Sequence, residues 1–205
     1  MKRMLFCYMY CNLGGVTSVI KQRMPALIAE NWQTNALFLQ DYGGKSDLLG
    51  VGINNVKIAG SDYPSMLLKA LDETSYDCIT VFDYPDIVPI IRKEFHGPIF
   101  YEIHTPIKKN LLKADKDIFK LVSKVIVPSS WSKQWVLQYY PIVNPEKIVV
   151  CGNCVDISIF FPASGAYSEE KEVVWVGKFS DYKNWKEALE ILRILSCEHK
   201  DIKIT

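Results

Sequence analysis

The sequence has almost no net charge and no long apolar run. Its 24 Lys and Arg residues nearly balance its 23 Asp and Glu residues, which leaves a formal net charge of +1. This balance gives no reason to expect nucleic acid or an acidic substrate as a partner. No apolar stretch approaches the roughly 18 residues of a membrane-spanning helix. With 205 residues, 49% of them hydrophobic, the chain is long enough to bury a sizeable core.

The cysteines do not form the pattern of a disulfide framework. They occupy positions 7, 11, 78, 151, 154 and 197, and several lie in apolar runs such as MLFCYMYC and YDCITVF. We interpret them as small buried hydrophobic side chains of a reducing compartment. The N-terminal residues resemble a secretory signal, but they lack an Ala-x-Ala cleavage site and the apolar run is short. We therefore predict a first β-strand there and expect a cytoplasmic protein.

Short runs of β-branched and aromatic residues alternate with amphipathic segments of helical length. The predicted strands are residues 3–10, 34–40, 55–59, 77–82, 98–104, 124–128 and 147–151, and the predicted helices are residues 16–31, 63–74, 85–95, 107–122 and 130–140. We expect Pro25 to kink or split the first helix. The alternation predicts an α/β fold with a parallel sheet flanked by helices. Ligands bind such sheets at the carboxyl ends of the strands, so residues that follow a strand are the candidate site.

Residues 156–171 interrupt this alternation. They contain Pro, Gly, Ser and a cluster of charges without clear periodicity, which indicates a linker. The linker would separate a first domain, residues 1–155, from residues 172–205. The latter contain a predicted strand, helix and strand at 172–177, 183–198 and 201–205. We expect this region to be a partial second domain whose unpaired sheet edges favour self-association.

Gly14 and Gly15 follow the first predicted strand and precede a helix. Glycine lets a backbone approach a ligand closely, and the N–H groups at a helix N-terminus favour anions. The segment matches neither the Gly-x-Gly-x-x-Gly dinucleotide fingerprint nor a phosphate loop that ends in Gly-Lys-Ser/Thr. An anion site and a plain strand-to-helix turn both remain open for this pair.

His104 stands at the carboxyl end of the predicted strand 98–104. A histidine there faces the expected ligand crevice, where it could hydrogen-bond a sugar hydroxyl or stabilise a developing charge. The alternative is a partly buried structural histidine bonded to a loop carbonyl. The position of His104 favours the functional role.

Three other patterns have two interpretations each. Cys151 and Cys154 form a Cys-x-x-Cys pair, but no helix pattern follows it and no further metal ligands are evident, so a redox or zinc role is disfavoured. Residues 108–124 carry six lysines beside a helical apolar stripe, which suits a solvated helix face or a contact with anionic lipid. Lys178 and Lys183 flank a loop before a helix, where they either bind a diphosphate or are simply exposed.

Taken in order, the motifs resemble those of retaining GT-B glycosyltransferases of family four. GGV at 14–16 resembles the first glycine-rich loop of that family, IHTP at 103–106 resembles its mid-domain histidine, and VPSSWSKQ at 127–134 resembles a segment in which a serine follows a strand. NCVDISIFFP at 153–162 is the most specific match, because it resembles the family's linker Asn-Gly-Val-Asp-x-x-x-Phe-x-Pro. Residues 173–192 resemble the first strand, loop and helix of the second domain.

The resemblance implies two Rossmann-like domains and the transfer of a hexosyl group, with retention, from a nucleotide-diphosphate sugar. It implies that His104 is the catalytic residue and that Gly14, Gly15, Lys178 and Lys183 bind the donor and its phosphates. It also implies that the enzyme needs no metal or other cofactor, because cations and helix ends stabilise the leaving diphosphate. The acceptor stays open; a glycan and a lipid-linked molecule are both compatible, the latter with a peripheral membrane contact through 108–124.

The sequence departs from the family pattern at three places. Cys154 replaces the linker glycine, Lys178 replaces the usual arginine, and the chain ends before the family's Glu-x7-Glu motif. We therefore expect a fragment of a longer enzyme that has little or no activity alone. One alternative is a non-catalytic half-protein that binds an acceptor or docks on a donor-domain partner. Another is a different phosphate-handling α/β enzyme.

Overall fold

Seven parallel strands form the sheet of the first part of the chain. The computed structural model describes residues 1–105, 117–162, 171–177, 179 and 181–205, which separate into two units, Met1–Ile157 and Ser158–Thr205. The strands of the first unit are β1 (Lys2–Cys11), β2 (Trp32–Asp41), β3 (Asn55–Ile58), β4 (Cys78–Phe82), β5 (Ile99–Glu102), β6 (Lys124–Val127) and β7 (Ile148–Val150). Each of the seven strands predicted for this region is confirmed, and no bound differs from its predicted position by more than two residues.

Helices connect these strands. They are α1 (Gly15–Ala29), α2 (Lys45–Gly50), α3 (Tyr63–Glu73), α4 (Val88–Glu94), α5 (Ile118–Leu121) and α6 (Ser130–Tyr139). Pro25 lies inside α1, which continues past it, so the helix is not split and the alternative, a kink at Pro25, stays a prediction. Helix α2 was not predicted. Residues 106–116, which hold most of the lysine-rich segment, lie outside the described residues.

The order of the strands in the sheet is β3-β2-β1-β4-β5-β6-β7. The chain builds the sheet outward from β1 to β3 on one side and then from β4 to β7 on the other, so the order reverses between β1 and β4. This is the Rossmann-like arrangement, and it confirms the predicted fold class. A crevice opens at the carboxyl ends of the strands where the order reverses, because the neighbouring connections leave on opposite faces of the sheet.

The core lies on both faces of the sheet. Along β1, Leu5 and Cys7 pack into one apolar cluster and Phe6 packs into the other, as the alternation of side chains along a strand requires. The central strand β4 reads CITVF and is buried throughout, which is typical of a parallel strand covered on both sides. The prediction of buried cysteines is correct for the two apolar runs that suggested it, at positions 7, 11 and 78, whereas the cysteines at 151, 154 and 197 are exposed.

The described residues of the second unit contain one βαβ element. Strands β8 (Lys171–Val173) and β9 (Ile202–Ile204) pair in parallel, and helix α7 (Trp185–Glu198) connects them. The predicted helix and final strand are present, but β8 ends before the predicted limit of 177. The division between the units falls within the predicted linker 156–171; residues 163–170 lie outside the described residues, and the linker remains a prediction. In the parts of the chain that the structure describes, no helix is long and apolar enough to cross a bilayer.

Candidate active site

The candidate site lies at the carboxyl ends of β1, β4 and β5. The turn Asn12–Gly15 follows β1, Asp83 follows β4, and His104 stands two residues beyond the end of β5. Since the three strands pair side by side in parallel, these residues share one edge of the sheet. The edge includes the point where the strand order reverses, which is the usual ligand position in this kind of sheet.

The two glycines after β1 have different environments. The Gly14 N–H donates to Asn12 Oδ1 at 2.8 Å, and a Cβ at Gly14 would come within 2.7 Å of that same oxygen. The tight turn therefore explains why residue 14 is a glycine. A Cβ at Gly15 would have no described atom of the protein within 4 Å, so internal packing does not explain this second glycine. Helix α1 starts at Gly15 without a side-chain cap, which suits its N-terminus to an anion.

The loop after β2 packs against the glycine turn. The N–H groups of Tyr42 and Gly44 both donate to the Cys11 carbonyl, at 2.7 and 3.2 Å. A Cβ at Gly44 would come within 2.8 Å of the backbone N and O of Asn12. Only glycine permits this approach of two backbones, so Gly44 fixes the position of the turn. The contact was not predicted from the sequence, in which the pair Gly43–Gly44 directly after β2 is the feature that indicates it.

Asp83 connects the ends of β4 and β5. Its backbone is left-handed, with φ of 45°, and its Oδ1 accepts N–H hydrogen bonds from His104 at 2.8 Å and Thr105 at 3.2 Å. Its own N–H donates to the Glu102 carbonyl at 2.9 Å. Burial raises the pKa of Asp83, and the two N–H donors offset this only in part. A strained aspartate at a ligand crevice is typical of functional sites.

The His104 ring lies in a polar and aromatic setting. Its Nε2 is 3.1 Å from Glu102 Oε2, while Glu102 Oε1 accepts a hydrogen bond from Arg23 Nη1 at 2.5 Å. The ring stacks on Phe82 with centroids 5.9 Å apart, and Tyr8 contacts the same phenyl ring edge-on. The His104 side chain is only 10% exposed, and Glu102 is almost fully buried.

The lysines expected at the donor phosphates lie in the second unit. Lys178 is outside the described residues. Lys183 is exposed at the end of a 3-10 turn, Asp181–Lys183, and Asn184 follows it with φ of 50° at the start of α7. Gly14, Gly15 and His104 therefore share one sheet edge of the first unit, whereas Lys183 belongs to a separately folded element.

Cys151 and Cys154 follow β7 as exposed thiols. No helix begins between them and residue 162, in agreement with the sequence argument against a redox pair. Among the described residues, no group of three or more His, Cys, Asp or Glu side chains is placed to hold a metal ion.

Sequence reasoning missed Arg23, Asp83 and Glu102. Glu102 is a lone carboxylate inside the apolar strand segment PIFYEI, and Asp83 directly follows the buried strand β4. Arg23 lies among the buried positions Ile20 and Met24 of α1. A charge within an apolar pattern was the signal in each case, because buried charges require partners.

We predict that the Asp83→Asn substitution changes the pH dependence of stability. The raised pKa means that the folded protein favours the protonated carboxyl, so the contribution of Asp83 is present in acid and is lost as the pH rises through its folded pKa. An uncharged asparagine tolerates the left-handed backbone and does not titrate. The free energy of unfolding of the variant, relative to wild type, should therefore rise with pH from below 3.8 to neutrality.

Urea unfolding at a series of pH values measures this difference. Asp86→Asn is the matched control, because it makes the same substitution at an exposed position three residues further on. A relative stability of the Asp83→Asn variant that falls as the pH rises would contradict the assignment.

Comparison with known proteins identifies the family. The sequence model of Glycosyltransferase Family 4 matches residues 14–159. Among solved structures, Anabaena Alr3699/HepE in complex with UDP has a TM-score of 0.66 at 15% identity, over 100% of this chain and 68% of that chain. A Rickettsia africae glycosyltransferase has a TM-score of 0.71 at 13% identity, over 100% and 68% of the two chains. The glycotransferase of kitacinnamycin gives 0.63 at 11% identity, over 99% and 65%.

At these identities the structural similarity shows the fold alone, which is that of GT-B glycosyltransferases. No curated protein matches the sequence. The family match covers most of the chain, including Gly14, Gly15, His104 and the linker motif up to residue 159. It confirms the resemblance on which the sequence analysis relied: the chain belongs to Glycosyltransferase Family 4.

Proposed function

We propose that the chain carries the acceptor-side domain of a retaining glycosyltransferase that uses a nucleotide-diphosphate sugar. The observation that carries the proposal is the sheet edge at the reversal of strand order, along which an uncapped helix N-terminus and a fixed histidine both lie within the matched family segment. The Anabaena protein of the same fold was solved with UDP, which supports a uridine nucleotide among the candidate donors.

The N-terminus of α1 would receive negative charge. Its N–H groups and helix dipole favour a phosphate or a developing alkoxide, and the open space at Gly15 allows close approach. His104 would contact the transferred sugar. Lys178 and Lys183 would neutralise the leaving diphosphate, so the proposed mechanism stabilises that charge with cations and helix ends in place of a metal.

We also propose where the reaction takes place and which acceptor it uses. The buried free thiols of Cys7, Cys11 and Cys78 suit a cytoplasmic location. We propose a glycan or a lipid-linked acceptor, and a peripheral membrane contact through 108–124 in the second case.

We predict that His104→Gln slows sugar transfer by about a hundredfold or more, because an oriented imidazole is lost from the reacting sugar. The assay uses the polypeptide that the complete reading frame encodes, with a panel of UDP-, GDP- and ADP-sugars, and detects the released nucleoside diphosphate. His96→Gln, at an exposed loop histidine, is the control and should transfer at the wild-type rate. Equal rates for the two variants would refute the role of His104, and consumption of no donor would refute the proposed reaction.

We predict that Gly15→Ala lowers the rate of transfer without lowering stability. The added methyl group meets no described protein atom and alanine favours the helix by up to about 1 kcal/mol, so a loss of rate must come from contact with a ligand. Gly50→Ala is the matched control, since Gly50 is also helical with open space around its Cβ position. Thermal unfolding and the transfer assay are run on both variants. Full activity of the Gly15→Ala variant would show that no ligand approaches this turn.

The second unit favours a second candidate function, docking on a partner or a second copy. Val176 is 89% exposed, Phe179 70% and Ile191 52%, although all three are apolar. Exposed apolar surface of this kind is typical of interaction sites. We predict concentration-dependent self-association in sedimentation experiments, reduced in a Val176→Lys/Ile191→Lys variant.

Glu198→Lys adds a positive charge at an exposed polar position of α7 and serves as the control, which should associate as wild type does. A monomer at all concentrations would exclude self-association through residues 172–205.

A further inference from the structure

Glu102 is a buried carboxylate with two donors. Its side chain is 1% exposed, its Oε1 accepts from Arg23 Nη1 at 2.5 Å, and its Oε2 lies 3.1 Å from His104 Nε2. Each oxygen therefore serves a different neighbour. Arg23 comes from α1, the helix that begins at the glycine turn, so this carboxylate joins the first helix to the histidine after β5.

The carboxylate determines which ring nitrogen of His104 carries the proton. Burial raises the pKa of Glu102, but the hydrogen bonds and charges of His104 and Arg23 together lower it by more, so the net shift is downward. An ionised carboxylate has no proton to donate, so it can only accept. His104 Nε2 must then be the donor, which places the proton of the neutral imidazole on Nε2.

Two further contacts hold the ring in this orientation. The His104 backbone N–H donates a hydrogen bond to Asp83 Oδ1 at 2.8 Å, and the imidazole stacks on the Phe82 ring. A 180° flip of the ring about Cβ–Cγ would place Cε1 where Nε2 now lies and leave Oε2 of Glu102 without its donor, and an unpaired buried carboxylate oxygen is costly.

We propose that Glu102 and Arg23 are positioning residues that lock His104 in the Nε2–H tautomer, so that Nδ1 is the nitrogen with which His104 acts on a bound sugar. Arg23 neutralises the buried charge and occupies Oε1, and Glu102 presents Oε2 to the ring. In its neutral form His104 then acts through Nδ1 as an acceptor toward a sugar hydroxyl. This last consequence rests on the proposed function, whereas the tautomer itself does not.

The Glu102→Gln substitution keeps the shape of the side chain but replaces one acceptor oxygen with a donor NH₂ group. An amide has one acceptor oxygen and one donor nitrogen, and Arg23 can only donate. The amide oxygen should therefore turn to Arg23 and its NH₂ group to His104. Nε2 must then accept, and the proton moves to Nδ1. In the double variant Arg23→Met/Glu102→Gln the amide oxygen is released to face the histidine, and the proton should return to Nε2.

Long-range ¹H–¹⁵N NMR of the histidine rings reads the tautomer directly. The chain has three histidines, and comparison with the His104→Gln spectrum identifies the signal of His104. We expect the Nε2–H form in wild type, the Nδ1–H form in Glu102→Gln, and the Nε2–H form again in the double variant, each recorded at a pH where the ring is neutral. Glu94→Gln, two residues before the exposed His96, repeats the Glu-x-His spacing on the surface and should leave every ring spectrum unchanged.

Wild-type His104 with its proton on Nδ1, or a Glu102→Gln spectrum that keeps the Nε2–H form, would overturn the proposal. Should Glu102→Gln fail to fold, Arg23→Gln is the second test: the new amide can still donate to Oε1, so the carboxylate keeps Oε2 for the ring and the Nε2–H form should persist. In the transfer assay we expect Glu102→Gln to lower kcat about tenfold or more with little change in KM. A confirmed tautomer without any sugar transfer would refute the proposed function and leave the positioning of His104 intact.

Discussion

Parallel pairing of β1, β4 and β5 is the constraint on which the candidate site depends. Parallel strands end at the same edge, so residues far apart in sequence, such as Gly15 and His104, lie along that edge without a direct local signal. The reversal of strand order between β1 and β4 then opens the crevice. A parallel sheet of this kind is stable only when both of its faces are covered, and the two apolar clusters cover them. The site is thus a consequence of how the sheet is wound.

The fold was predictable because its main elements have strong local patterns. Buried parallel strands read as short apolar runs, and each predicted strand of the first unit is present. Helix α2 escaped prediction because it has six residues, too few for a helical period to be seen. Strand β5 ends at Glu102, two residues before its predicted limit, since the His104 N–H binds the Asp83 carboxylate. A side chain from another strand decides that boundary, and no local pattern contains it.

The site was predictable only in part, for the same reason. His104 and Gly15 follow from position alone, because they succeed strands and ligands bind at strand ends. Their partners Arg23, Asp83 and Glu102 depend on pairing across the sheet. A single sequence shows that each is a polar residue in or beside an apolar pattern, but it does not show which charges meet. The association of Arg23 with Glu102, 79 residues apart, requires α1 to lie over the end of β5, and only the tertiary structure shows it.

The ion pair between the buried Glu102 and the partly exposed Arg23 is better explained by positioning than by stability. Removing a charge from water costs several kcal/mol per ion. Well-packed apolar residues in place of a buried ion pair therefore often give a protein of equal or greater stability. The carboxylate nevertheless stands where an apolar strand residue would fit, and its second oxygen is used for the ring of His104. An apolar pair would leave that ring without an acceptor and without a preferred tautomer. The desolvation cost of Glu102 is therefore consistent with a residue whose role is the orientation that it gives to His104, and the ion pair with Arg23 offsets the charge of the buried carboxylate.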